Sequence, residues 1–365
     1  MKQLFPLLLV LSILISGCGP AQTAETPTPM LSKKPKNIIL LIGDGMGLSQ
    51  VSAAQYYMDE RPHFESFPFI GLSKTSSSSD LITDSAAGAT AFSAGIKTYN
   101  GAIGVNQDTI AVQTITEQLA DRGTKIGLVS TSSITHATPA SFYAHQKSRR
   151  MTEAIAADLV DAPVDFFAGA GWKFFTQRED NRNLISEFEQ ANFIMDTLAL
   201  PSLAALSATE KAGFLLAPYD MPRMNEGRGS FLSEATRLAA QFLSRNDSPF
   251  FLMVEGSQID WGGHNNNADY LIGELLDFDQ AIGEALAFAK ADGNTLVIVT
   301  ADHETGGFTL AADKGNYNKI APSFSTGGHS ATMVPVFAYG PGAEEFAGVY
   351  ENTAIYDKMK ALLWE

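Results

Sequence analysis

Asn37-Ile38-Ile39-Leu40-Leu41-Ile42 is an unbroken apolar run that ends abruptly in Gly43-Asp44-Gly45-Met46-Gly47. A run this short and this apolar, without polar alternation, reads as a strand buried on both faces. The design recurs from Lys125 to Ser130, from Phe250 to Glu255 and from Thr295 to Thr300, each turning polar at its end. Between these runs lie helical stretches over 110–122, 230–245 and 268–290. Apolar strands alternating with helices predict an α/β fold, a three-layer sandwich whose large, mostly parallel central sheet is flanked by helices. The less regular rhythm of 166–224 predicts a small cap or insertion. In open parallel sheets ligands bind beyond the carboxyl ends of the strands. The polar clusters of this chain fall there.

Composition narrows the partners. The 365 residues are 45% apolar, enough for a large core, and 25 basic residues face 40 acidic ones, for a net charge of −15. Nucleic-acid backbones need a basic surface, so no nucleic-acid binding site is expected. A small phosphate substrate remains open, because bound metal ions reverse the local field inside an acidic protein. At the start, Lys2 precedes an apolar run from Leu4 to Ile15, too short to span a membrane comfortably. It ends in Ile15-Ser16-Gly17-Cys18, which resembles a bacterial lipoprotein signal with Cys18 as the lipidated residue. The expected organisation is therefore a signal peptide over 1–17, a flexible tether over 18–36 and one enzyme domain over 37–365. Such a chain is exported, to the periplasm or to an outer-membrane anchor. Cys18 is the single cysteine, so the domain has no internal disulfide and relies on packing and bound metal.

Gly43-Asp44-Gly45 lacks both the Walker A and the G-x-G-x-x-G spacing, and taken alone it reads as a turn. Ile82-Thr83-Asp84-Ser85-Ala86-Ala87-Gly88-Ala89-Thr90 says more. Small residues after Ser85 open a helix whose free N–H groups favour an anion. Ser85 is either a cap of that helix or a nucleophile. No G-x-S-x-G elbow accompanies it, which leaves a metal ion as the activator. Candidate ligands are Glu255, Asp260 and His264 after one strand, Asp302 and His303 after another, and His329 before the run from Val334 to Tyr339. Asp and His suit zinc, whereas Asp, Glu and Thr oxygens suit magnesium.

With these residues in view, the chain resembles the bacterial alkaline phosphatases over essentially its whole length after the tether. Residues 82–90 match that family's nucleophile signature at every position. The order Asp44, Ser85, Thr138, Arg149, Glu255, Asp260, His264, Asp302, His303, His329 also agrees. The resemblance implies two zinc ions and one magnesium ion. Asp260, His264 and His329 would hold the first zinc, and Asp44, Asp302 and His303 the second, beside Ser85. Asp44, Thr138 and Glu255 would hold magnesium, and Arg149 would grip phosphate with its planar fork. It further implies a homodimer and a phosphoserine intermediate on Ser85. Three divalent ions, four ligand carboxylates, Arg149 and a Ser85 alkoxide leave a charge of roughly +2, which matches a phosphate monoester dianion better than a diester.

Relatives with other activities fit less well. Sulfatases need a C/S-x-P-x-R setting, and here Ala86-Ala87-Gly88 follows Ser85. Phosphodiesterases of the superfamily use Thr and lack the third metal and the arginine. A non-catalytic metal- or phosphate-binding protein would not need the complete Ser85 signature. His63 and His145 carry no ligand role, and Arg150 reads as a solvated helix-start residue.

Two positions depart from the family pattern and tune the site in this reading: His136 stands where many relatives have Asp, and Trp261 where many have Lys or His. Without a carboxylate at 136 the magnesium site is weaker. Without a cation at 261 phosphate is held less firmly. His136→Asp is therefore expected to lower the Mg²⁺ concentration needed for activity, and Trp261→Lys to strengthen inhibition by phosphate. Unchanged Mg²⁺ titrations and unchanged phosphate inhibition would contradict both.

Overall fold

A computed structural model of the chain describes residues 34–207 and 211–364. The signal segment, Cys18 and the tether up to residue 33 lie outside the described residues. Ten strands form one sheet: β1 (Asn37–Gly43), β2 (Phe69–Lys74), β3 (Lys125–Ser133), β4 (Phe166–Ala170), β5 (Phe193–Asp196), β6 (Lys211–Leu215), β7 (Phe250–Gly256), β8 (Thr295–Thr300), β9 (Val334–Tyr339) and β10 (Gly348–Glu351). Their spatial order is β10-β2-β9-β8-β1-β7-β3-β4-β6-β5. Only β9 runs against its neighbours, β2 and β8. All other pairings are parallel.

The opening run of the sequence is the central strand. Every residue of β1 is buried. Its side chains alternate between two cores, because successive strand residues point to opposite faces. Ile39 and Leu41 pack with the helices Leu48–Tyr57, Phe231–Leu243 and Ala268–Asp292. Ile38, Leu40 and Ile42 pack with residues from the helices Ser85–Ala94, Ile115–Ala120, Thr152–Asp161, Leu184–Gln190 and Thr353–Trp364. This is the expected sandwich. The pairings Ile42↔Glu255, Ile42↔Thr300 and Ser130↔Glu255 bring the ends of β1, β3, β7 and β8 to one level. Asp44, Glu255 and Asp302 emerge there side by side.

Two sequence expectations need correction. The segment 166–224 is no cap, since it supplies β4, β5 and β6 to the main sheet. Its rhythm is irregular because these strands are four or five residues long and are separated by short helices and turns, Trp172–Thr176, Leu184–Gln190 and Leu203–Ala205. The excursion from the sheet is instead the two-stranded ribbon of Thr309–Asp313 with Asn316–Ser323. The helix expected over 110–122 is shortened to Ile115–Ala120, because Thr114 and Glu117 form a capping box that starts it late. Ile110, counted toward that helix, is exposed.

Leu41 is fully buried in the strand that delivers Asp44. Leu41→Ala is expected to lower unfolding stability by about 2–5 kcal/mol in urea titrations. A change below about 1 kcal/mol would mean that this core collapses around the cavity rather than holding its packing.

Candidate active site

The helix Ser85–Ala94 begins with a cap that is Asp84, whose carboxylate accepts the Ala87 N–H at 3.0 Å. Ser85 is thus the first helical residue and not the cap. Its buried Oγ lies 3.3 Å from His303 Nε2. The helix presses so closely on the end of β8 that a Cβ on Gly88 would sit 2.9 Å from Asp302 Cβ. Gly45, at φ +74°, is equally constrained, as its Cβ would meet Asp260 Cα at 2.7 Å. Small residues let three polar segments meet here.

Arg149 reaches the same place from the loop before the helix Thr152–Asp161. It donates from Nη1 to Asp84 Oδ2 at 3.1 Å and from Nη2 to His136 Nε2 at 3.2 Å. Burial, reinforced by the Arg149 charge, pushes His136 down to about 3, so the ring is neutral and accepts that bond. Trp261 packs edge-on to the His136 ring, with centroids 5.8 Å apart.

Four carboxylates, Asp44, Glu255, Asp260 and Asp302, are buried together. Burial pushes Asp302 up to about 6, helped by the charge of Asp260. Burial also pushes Glu255 up to about 7, against the lowering effect of hydrogen bonds from Ser130 and Ser257. Asp44 is raised by burial and then by the charges of Asp302, Asp260 and Glu255. Both oxygens of Asp44, Oδ2 of Asp302, Oε1 of Glu255 and Oγ1 of Thr138 have no hydrogen-bond partner among the described residues. Buried polar atoms are almost always paired, so this many orphans in one place call for bound cations.

The histidines make the same point through their hydrogen bonds. His264 Nδ1 lies 2.8 Å from the Gly327 carbonyl, and His329 Nδ1 lies 2.8 Å from the Thr83 carbonyl. A carbonyl only accepts, so each Nδ1 carries a proton, and Nε2 is the nitrogen each ring offers to the site. Those two Nε2 atoms face each other at 3.1 Å, with Asp260 Oδ1 at 3.4 and 3.6 Å. Two imidazole nitrogens and a carboxylate converging on one point need a proton or a metal cation between them, and together they are a ligand set for zinc. Anchoring of the far nitrogen by a carbonyl is how metal-ligating histidines are held.

Among the described residues, three groups bring their ligand atoms within 4.8 Å of one another: Asp260–His264–His329, Asp44–Asp260–His303 and Asp44–His136–Glu255. The first is the set expected from sequence. In the second, Asp260 appears where Asp302 was expected, yet Asp302 Oδ2 is 3.4 Å from His303 Nε2. Asp44 Oδ1 lies at the same 3.4 Å from that nitrogen. The third adds His136 to Asp44 and Glu255, so this residue stands at ligand distance as well as beside Arg149. His63 and His145 stand apart, held by Asp279 at 2.8 Å and by Gly104 O and Glu117 at 2.7 and 3.0 Å. Arg150 is exposed.

Sequence reasoning missed the residues behind the ligands. The Thr305 hydroxyl donates to Asp260 Oδ1 and lies 3.2 Å from His303 Nδ1. Buried Glu304 accepts from Gln50 at 2.8 Å, from the Phe308 N–H at 3.0 Å and from Ser330, tying the His303 loop to the His329 strand. Ser130, Ser132 and Ser257 surround Glu255. The available signal was Ser130-Thr131-Ser132-Ser133, four hydroxyl residues where an apolar strand would otherwise continue.

Comparison with known proteins agrees with this geometry. The family model described as alkaline phosphatase matches residues 35–322 and 312–364. The chain is 35% identical to alkaline phosphatase 3 of Bacillus subtilis (strain 168), over 97% of this chain and 95% of that one. It superposes on the structure of alkaline phosphatase from the Antarctic bacterium TAB5 with a TM-score of 0.90 and 57% identity, covering 91% of this chain and 98% of the other. A variant of the TAB5 enzyme with a histidine replaced by aspartate holds Mg in its M3 site, and matches with a TM-score of 0.89. The sheet, the buried ligand groups and these matches lead to one conclusion: the chain belongs to the alkaline phosphatase family and is a hydrolase of phosphate monoesters.

Proposed function

We propose that hydrolysis proceeds through a phosphoserine on Ser85, with zinc held by Asp260, His264 and His329 and by Asp44, Asp302 and His303, and magnesium by Asp44, Thr138 and Glu255 beside His136. The observation that carries this reading is the convergence of His264 Nε2 and His329 Nε2, 3.1 Å apart, on Asp260, with each far nitrogen held by a backbone carbonyl. Imidazole and carboxylate donors suit zinc at the first two groups, and the oxygen-rich third group suits magnesium. Mg in the M3 site of the TAB5 variant supports a third cation. When bound, the cations supply Lewis-acid stabilisation of the attacking and leaving oxygens.

The chain's own residues do the rest. Ser85 Oγ, as the alkoxide, attacks phosphorus as the bond to the leaving alcohol oxygen breaks, giving a phosphate ester on Ser85. Water then attacks that ester and returns Ser85 and inorganic phosphate. Arg149, aimed by Asp84 and His136, offers its N–H groups to the equatorial oxygens, and the positive dipole end of the helix that begins at Ser85 favours the same anion. The same proposal includes export through the Cys18 signal, to the periplasm or an outer-membrane anchor, and a homodimer.

Hydrolysis of p-nitrophenyl phosphate and its bis-ester tests the proposal directly. The monoester is expected to be strongly preferred, with activity lost on EDTA treatment and restored by zinc with magnesium. Preference for the diester would contradict the proposed Arg149 role. Ser85→Ala is expected to lose roughly 10³–10⁶-fold in turnover, the range seen when an active-site nucleophile is removed. Acid quenching of the wild type should trap labelled phosphate on Ser85, and label elsewhere would overturn the intermediate.

Metal removal gives a second test. In the metal-free protein the raised Asp302 and Glu255 stabilise the fold only while protonated. That contribution is complete below their ordinary values of 3.8 and 4.5 and is lost as pH rises through about 6 and about 7. The midpoint for urea unfolding of EDTA-treated protein is therefore expected to fall between about pH 4 and 7. Metal-loaded protein, in which the carboxylates are neutralised, should not show this fall. Identical profiles would mean that the cluster is compensated without metal.

A further inference from the structure

We propose that Ser130, Ser132 and Ser257 form a hydroxyl cage that makes Glu255 a one-oxygen ligand and so biases the third cation group toward Mg²⁺ and against Ca²⁺. The inference rests on the three-cation reading above.

The two oxygens of Glu255 live in different surroundings. Oε2 accepts from Ser130 Oγ at 2.6 Å and Ser257 Oγ at 2.7 Å, and Ser132 Oγ lies 3.3 Å away. Oε1 makes no hydrogen bond among the described residues, and Glu255 offers an oxygen within 4.8 Å of ligand atoms of Asp44 and His136. A carboxylate held this way has one oxygen occupied and one to offer.

The cage is built into the backbone rather than left to free rotamers. Ser130 sits opposite Glu255 in the β3–β7 register. The Ser132 N–H donates to Ser130 Oγ at 3.1 Å, and the Ser257 N–H donates to Thr131 Oγ1 at 2.9 Å, which fixes the turn after β7. Ser130 Oγ also lies 2.7 Å from Ser132 Oγ and 3.0 Å from Ser257 Oγ. All three serines are fully buried, so water does not readily replace any hydroxyl.

The chemical consequence follows from cation size. Mg²⁺ takes six ligands in a tight octahedron and accepts one oxygen per carboxylate, whereas Ca²⁺ takes six to eight at longer distance and often uses both oxygens. For Glu255 to bind both-handed, Oε2 would have to give up its hydrogen bonds from Ser130 and Ser257, which are charge-assisted and buried. The cage thus acts on ion choice as well as on ligand orientation, and its serines are positioning residues.

The test uses the zinc-loaded enzyme freed of other divalent ions, titrated calorimetrically with Mg²⁺ and, separately, with Ca²⁺. Wild type is expected to favour Mg²⁺. Ser257→Ala and Ser130→Ala are each expected to reduce the Mg²⁺-over-Ca²⁺ ratio by roughly tenfold or more, the scale of losing a hydrogen-bond partner behind a metal ligand. Ser257→Thr, which keeps the hydroxyl, should retain the wild-type ratio. Equal affinities in wild type, or an unchanged ratio in both alanine variants, would overturn the cage while leaving the three-cation reading intact. Uptake of neither ion by wild type would overturn that reading and the cage with it.

Discussion

Four carboxylates packed together without counter-charge, at the carboxyl ends of neighbouring strands, are the constraint on which the rest of this structure depends. An ionised carboxylate buried without a partner costs several kcal/mol. A folded domain is stable by only about 5–15 kcal/mol in all. Asp44, with neither oxygen paired among the described residues, and the crowded Asp302 and Glu255 would take a large part of that margin if all were ionised, and cations at the cluster would relieve it. The unpartnered oxygens of Asp44, Asp302 and Glu255, and the converging Nε2 atoms of His264 and His329, are what a metal centre looks like from the protein's side.

The sheet explains how the cluster is assembled. Because β1 lies between β7 and β8 in parallel register, Asp44, Glu255 and Asp302 leave the sheet at one level without any long-range folding of loops. The helix Ser85–Ala94 then brings the Ser85 hydroxyl to the cluster, 3.3 Å from His303 Nε2. It approaches closely because Gly88 has no Cβ to strike Asp302, as Gly45 has none to strike Asp260. Cations on the carboxylates would leave Arg149 and the start of this helix to face a phosphate. An acidic chain can in this way bind an anion.

Much of this was legible in the sequence, for physical reasons. Strands buried on both faces read as unbroken apolar runs, so Asn37–Gly43, Phe250–Gly256 and Thr295–Thr300 announced the centre of the sheet. The ligands stood out because His and Asp at strand ends are chemically specific. What stayed hidden was short or indirect. β4, β5 and β6 are too brief for periodicity, and the edge of the sheet was mistaken for a cap. The late start of the Ile115 helix was encoded in Thr114 and Glu117, a signal weaker than the apolar spacing that surrounds it. Thr305, Glu304 and the Glu255 serines act through other side chains, and only three-dimensional contacts reveal them. His136 read as a tuning residue, and its ligand distance from Asp44 and Glu255 emerged only from the fold.

The central claim is that cations, rather than protons or water, reconcile the buried cluster. Anomalous X-ray diffraction from crystals of the metal-loaded enzyme, collected on both sides of the zinc absorption edge, tests it most directly. We expect one zinc peak among Asp260, His264 and His329 and a second among Asp44, Asp302 and His303. At the Asp44–Glu255 group we expect density for a lighter ion, with no zinc signal. Ordered water alone at these three places, in crystals grown with zinc and magnesium present, would contradict the account.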